Sequence, residues 1–242
     1  MATEPSRMYR TAAKPLRALM SAVTRKDWHG AENLPTDSGF IAVSNHVTYA
    51  DPLTLAHYLY DNGHPPRILA KESLFRAPVV GWLLKGFDQI PVHRGTSRAA
   101  EAVDAAVEVL NRGDMIAMFP EGTLTRDPDL WPMVARTGAA RMALATGVPV
   151  VPIAQWGAHR LLGNYGKMIH PIPRKKVTMV AGPPIDLDDL RTGELDTATL
   201  RAATDRIMAT LTSMVAEIRG ETPPEKPYDV RSQVDPRKKG GR

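Results

Sequence analysis

Between residues 40 and 182 the hydrophobic pattern switches repeatedly between two periods. Short unbroken apolar runs predict strands at 39–44, 67–71, 114–119, 149–153 and 176–181. Apolar positions recurring every three or four residues predict helices at 52–60, 78–86, 97–111 and 137–146. The helix at 97–111 collects Ala99, Val103, Ala106, Val107 and Leu110 on one face, and Asn111-Arg112-Gly113 supplies its glycine stop. Such alternation implies an α/β domain, with a central sheet flanked by helices. A last helix at 197–219 carries Leu200, Ile207, Leu211, Met214 and Ile218 at helical spacing, a pattern suited to core packing.

The two ends differ from this middle. Residues 6–26 read as a helix interrupted near Pro15, with Leu16, Leu19, Met20 and Val23 interleaved with Arg7, Arg10, Lys14 and Arg17. A basic amphipathic segment of this kind either lies in a lipid interface or packs on its own domain. Residues 220–242 hold four prolines, Lys238-Lys239 and a glycine pair, the composition of a disordered tail. The expected organisation is therefore a membrane-docking element at 1–27, one α/β domain at 28–220, and a basic tail at 221–242.

Charge and composition narrow the chemistry. The chain of 242 residues has a formal charge of +5 and a pI near 9.5, which favours anionic partners: nucleic acid, anionic lipid or phosphorylated small molecules. It contains no cysteine, which excludes disulfides, thiolate metal sites and a cysteine nucleophile. The apolar run at 77–84 is among the longest and is far short of the ~18 residues of a spanning helix. Basic residues recur through the N-terminal segment without a continuous apolar core, so it does not read as a secretory signal, and a cytoplasmic location is expected.

Three stretches offer reactive or binding groups, two of them directly after predicted strands and the third along short apolar runs. Ser44-Asn45-His46-Val47-Thr48-Tyr49-Ala50-Asp51-Pro52 sets a histidine five residues before an aspartate. On a continuous helix those side chains would diverge, so pairing them requires a turn at 49–52. Paired, His46 is a general base; unpaired, Asp51 caps the next helix and His46 is structural. Phe119-Pro120-Glu121-Gly122-Thr123-Leu124-Thr125-Arg126 concentrates a carboxylate, hydroxyls and an arginine in a turn fit to hold a phosphate or polyol, or to pair with itself. Lys71 and Arg94 each follow an apolar run and would reach the same sheet edge as His46, where they suit a phosphate.

The ordered set of blocks resembles the glycerolipid acyltransferase family typified by 1-acylglycerol-3-phosphate acyltransferase. Asn45-His46 with Asp51 is similar to its catalytic block, 71–94 to its second, Phe119-Pro120-Glu121-Gly122-Thr123 to its third and Val151-Pro152-Ile153 to its fourth. The resemblance spans roughly 28–185. It implies a mixed, mostly parallel sheet, and a mechanism without an acyl-enzyme, in which His46 deprotonates the acceptor hydroxyl and Asp51 orients the imidazole. It further implies acceptor binding by Asn45, Lys71, Arg94, Glu121, Gly122, Thr123, Arg126 and Arg136. The third block often continues with an arginine where this chain has Leu124, and Arg126 or Arg136 is the candidate replacement.

By the same resemblance the acceptor is lysophosphatidic acid and the donor an acyl-coenzyme A or acyl carrier protein thioester. No resident cofactor or metal is expected. The working surface would be the cytoplasmic face of an anionic membrane. An apolar tunnel for the acyl chain is implied as well, although Val79, Val80, Trp82 and Leu83 are expected to serve core packing. Glycerol 3-phosphate, another lysophospholipid and a lipid-linked sugar remain alternative acceptors. A basic module binding membranes or nucleic acid is the non-enzymatic alternative, and no groove-reading motif supports the nucleic-acid version. No Gly-x-Ser-x-Gly elbow is present, against a serine hydrolase.

Overall fold

The computed structural model describes residues 7–92, 99–191 and 195–230. Within them the chain runs α1 (Arg7–Val23), β1 (Thr24–His29), β2 (Ile41–Ser44), α2 (Asp51–Asp61), β3 (Arg67–Lys71), α3 (Pro78–Gly86), β4 (Ile90–Val92), α4 (Ala99–Asn111), β5 (Ile116–Met118), α5 (Gly138–Thr146), β6 (Val150–Trp156), β7 (Lys175–Ala181) and α6 (Thr197–Arg219). The strands form one sheet in the order β1-β7-β6-β2-β5-β3-β4. Pairing is parallel except between β6 and β7. The expected α/β class and mixed, mostly parallel sheet are both present.

Alternation along the central strands divides the core in two. Ile41, Val43, Ile116, Met118 and Val150 face the layer built by α4, α5 and α6. Their neighbours Ala42, Ala117, Phe119, Val151 and Ile153 face α2, meeting Leu55, Tyr58 and Leu59. Strands covered on both faces are apolar throughout, which is why these segments show as unbroken runs. Because β2 to β6 are parallel, their C-terminal ends open on one edge, where sheets of this class place functional loops.

Both edge strands escape the hydrophobic pattern. In β1 the exposed positions include the charged Arg25 and Lys26, and the strand pairs along its length with β7. Charge on an edge strand discourages pairing with another chain. Strand β4 has three residues, one of them Pro91, which an edge position tolerates. The expected boundary at residue 27 therefore falls inside a strand of the sheet.

Helix α1 turns Tyr9, Ala13 and Met20 towards the body, and the Tyr9 ring meets Phe87 edge-on. Tyr9, Ala13 and Met20 are thus spent on packing, while Leu19 of the same segment is exposed. At the other end, part of the expected tail lies outside the described residues. Its first ten residues, 221–230, run along the body, where Tyr228 is buried and its carbonyl accepts from the Val134 N–H.

Helix α3 inverts the expectation for its apolar residues. Gly81 and Gly86 face inwards, while Val79, Val80 and Trp82 are exposed. A Cβ on Gly81 would fall 2.1 Å from the Phe75 carbonyl oxygen, and one on Gly86 would fall 2.0 Å from Met8 Cε. Close backbone approach therefore replaces side-chain interdigitation, and the larger apolar groups point outwards.

Candidate active site

The chain leaves β2 at Ser44 and enters α2 at Asp51 through a tight turn, in which the Asp51 N–H donates to the Thr48 carbonyl. That turn brings His46 Nδ1 to 3.1 Å from Asp51 Oδ2. The same oxygen accepts the main-chain N–H groups of Val47 and Thr48 at 2.5 and 2.7 Å. Asp51 sits in the first turn of α2, where the helix dipole also favours a carboxylate. The side chain of Asp51 is 2% exposed and that of His46 13%, so the carboxylate is enclosed while the imidazole keeps an opening. The imidazole stacks on Phe119 with centroids 4.0 Å apart.

Glu121 joins this turn to the loop after β5. Its Oε1 accepts the His46 main-chain N–H at 2.9 Å, and its Oε2 accepts that of Met133 at 3.0 Å. Burial pushes its carboxyl up to about 8, against the opposing pull of those two N–H groups. Glu121 thus bridges two loops with both oxygens engaged. Asn45 is similarly committed. Its amide donates to the Gln155 carbonyl and accepts the Gln155 N–H, a reciprocal tie between β2 and β6 deep in the protein. Gln155 continues the network to Ser44 and Thr54.

The remaining expected residues divide by position. Gly122 has φ +71°, and a Cβ there would meet Cδ and Nε of the exposed Arg136 at 3.3 Å. Thr123 and Arg126 are half-buried in the same loop. Lys71 is exposed at the C-terminal end of β3, on the His46 edge of the sheet. Arg94 lies outside the described residues. Leu124 is buried.

The β6–β7 connection holds residues that the sequence reading missed. Asn164 donates to the carbonyls of both Val47 and Thr125, and Tyr165 donates to that of Leu124. Thr48 donates its hydroxyl to the Leu162 carbonyl. These neutral groups form no ionisable pattern; the signal for them was position, since the connection leaves β6 at the same edge as the other two loops. His159 in this connection is held below the usual histidine range, chiefly by burial and then by Arg160, against the opposing influence of Asp51.

Trp131, near Glu121's second donor, is stacked against Arg219 at the end of α6, whose guanidinium carbon is 3.8 Å from the ring centroid. A base paired with a shielded carboxylate can accept a proton from a hydroxyl and return it to a leaving group. Among the described residues no set of three acidic or imidazole groups converges as a metal site requires.

The family model described as Acyltransferase matches residues 25–156. The chain is 37% identical over 131 residues to the 1-acyl-sn-glycerol-3-phosphate acyltransferase of Borreliella burgdorferi, covering 54% of this chain and 50% of that protein. It is 27% identical over 182 residues to the enzyme of that name from Bacillus subtilis, covering 75% and 84%. The match to the chloroplastic BAT2 of the same name from Brassica napus is 33% over 150 residues, covering 60% and 42%. The chain thus spans about half the length, or less, of several curated relatives it matches. The crystal structure of the 1-acyl-sn-glycerophosphate acyltransferase of Thermotoga maritima shares the fold, with a TM-score of 0.66 at 23% identity over 89% of this chain and 83% of that one.

Proposed function

The chain belongs to the acyltransferase family, and from that premise we propose that it transfers a fatty acyl group from a thioester to a free hydroxyl of lysophosphatidic acid. The relatives' names support this acceptor, and the donor in this proposal is an acyl-coenzyme A or acyl carrier protein thioester. The observation that carries the mechanism is the 3.1 Å contact of His46 Nδ1 with Asp51 Oδ2. With Nδ1–H donated to the carboxylate, Nε2 holds the lone pair that takes the acceptor's hydroxyl proton. The resulting alkoxide oxygen attacks the thioester carbonyl carbon. Collapse of the tetrahedral intermediate breaks the carbon–sulfur bond, and the imidazolium returns its proton to the departing thiolate. Asp51 stabilises the imidazolium between the two transfers.

Glu121 and Asn45 act as positioning residues, fixing the main chain on either side of the imidazole. Lys71, Arg94, Arg126 and Arg136 are the cations available to the acceptor's phosphate, with Gly122 and Thr123 lining the approach. The protein works as a peripheral protein on the cytoplasmic face of a membrane. No helix among the described residues is long and apolar enough to cross one.

The direct experiment measures thiol release from palmitoyl- or oleoyl-coenzyme A and from the matching acyl carrier protein thioester. Lysophosphatidic acid, glycerol 3-phosphate or no acceptor is supplied. Release that needs lysophosphatidic acid and falls at least ~100-fold in His46→Ala is the expected result, the scale of general-base catalysis. Undiminished release by that folded variant overturns the mechanism, and preference for glycerol 3-phosphate overturns the acceptor.

A further inference from the structure

Two exposed apolar lobes flank the His46 edge of the sheet. The first is the β6–β7 connection, where every residue from 167 to 174 is exposed, including Met168 at 71%, Ile169 at 62% and Ile172 at 87%. The second is α3, which presents Val79 at 71%, Val80 at 45% and Trp82 at 59% because its glycine side is the packed one. One lobe follows β6 and the other follows β3, and the strand order places β2, with its His46 loop, between them. Apolar groups this large are rarely left in water in clusters unless something covers them.

Charge identifies what covers them. Between Asp129 and Asp186 the sequence has no acidic residue and seven arginines or lysines. Lys167 precedes the first lobe and Arg174, which also donates to the Ser21 and Thr24 carbonyls, closes it, while the exposed Lys71 and Lys85 flank the second beside Glu72 and Asp88. Apolar side chains ringed by cations match the interface of an anionic bilayer, where the former enter the acyl boundary and the latter meet headgroups. We propose that this edge docks on an anionic membrane through the 167–174 loop and α3, so that the opening over His46 faces the lipid surface. The functional reading above explains why a site should face lipid; the surface itself rests on exposure and charge.

The base of the first lobe is also part of the site. Asn164 and Tyr165 bond the loops that carry His46 and Leu124, and the isolated bridge between Leu162 and Ile169 ties them to the exposed tip. Docking therefore engages a segment that already braces the proposed catalytic turn.

The test sediments the full chain with phosphatidylcholine vesicles, with and without one part phosphatidylglycerol, at low and high salt. Binding should require the anionic lipid and weaken with salt. Ile169→Glu with Ile172→Glu, and separately Val79→Glu with Trp82→Glu, should each lower partitioning at least ~10-fold, as expected for replacing inserted apolar groups by repelled charges. Leu19→Glu on the exposed side of α1 should leave binding within about twofold, since the surface assigned by these principles lies elsewhere. Circular dichroism checks that each variant is folded. Failure of the wild type to bind overturns the proposal, as does binding unchanged by both lobe variants or lost equally in Leu19→Glu. His46→Ala should bind as the wild type does; turnover absent with docking intact would fault the acyltransferase reading alone.

Discussion

The main-chain N–H of His46 donates to Oε1 of Glu121, a residue 75 positions later, across 2.9 Å. The proposed base is therefore held twice, at its ring by Asp51 and at its backbone by a buried acid whose other oxygen holds Met133. Two loops far apart in the sequence are locked to each other through one carboxyl group.

Replacing Glu121 with glutamine should expose this dependence. Glutamine has one acceptor oxygen and cannot serve both N–H groups, so the variant should lose about 1–3 kcal/mol near pH 5. Burial raises the Glu121 carboxyl from 4.5 to about 8. The folded state then holds a proton that the unfolded state has released, and its stability contribution is full below 4.5 and falls as pH rises towards 8. Denaturant titrations should show that slope in the wild type and its absence in Glu121→Gln. Parallel curves for the two proteins contradict the assignment.

In Asp51→Asn the amide oxygen can take the place of Oδ2, where it still accepts from Val47, Thr48 and His46 Nδ1, so the variant keeps these bonds and removes only the negative charge. Nε2 then keeps its lone pair, but the imidazolium formed when it takes a proton loses its anionic partner. Turnover should drop by roughly 10²–10⁴, the scale of general acid–base catalysis, while the melting temperature changes little. A loss of turnover below ~10-fold would mean that the carboxylate serves the helix start rather than the reaction.

His57 provides an acid-side counterpart away from the site. Burial, then Lys26, holds its imidazole down to about 4, with Arg17 adding to the effect and Asp61 opposing it. Its ring also lies against Trp28 and 3.4 Å from the Ser21 hydroxyl. Since the folded value is below the unfolded 6.5, the contribution is full above 6.5 and is lost as pH falls to about 4. His57→Gln should flatten the stability profile across that interval, measured by denaturant midpoints. A wild-type slope that survives the substitution assigns it to other groups.

Legibility from sequence followed burial. Strands β2, β3, β5, β6 and β7 were readable because two covered faces, or one well-buried face, leave dense apolar runs. Strand β1 was not, because an edge strand carrying Arg25 and Lys26 has the composition of a surface segment. Within the site, the His46–Asp51 spacing and the turn that closes it were local features and could be anticipated. The bracing roles of Asn45 and Glu121 were not, because their partners Gln155 and Met133 are backbone groups brought near by the fold. The outward face of α3 was misread because its apolar residues suit a core, and only the packing of Gly81 under Phe75 reveals which side is inside.

That packing has an evolutionary consequence. Helix α3 approaches the body most closely at its two buried glycines, so its exposed outer positions contribute little to holding the fold together. Exchanges among apolar residues at Val79, Val80 and Trp82 can accumulate with small effects on stability, which leaves them free to adapt to a changing environment. Gly81 has no such latitude, since a single methyl group would collide with the Phe75 carbonyl. Descendants of this sequence should vary on the outside of the helix and stay fixed on the inside, with the smallest residue under the strictest constraint.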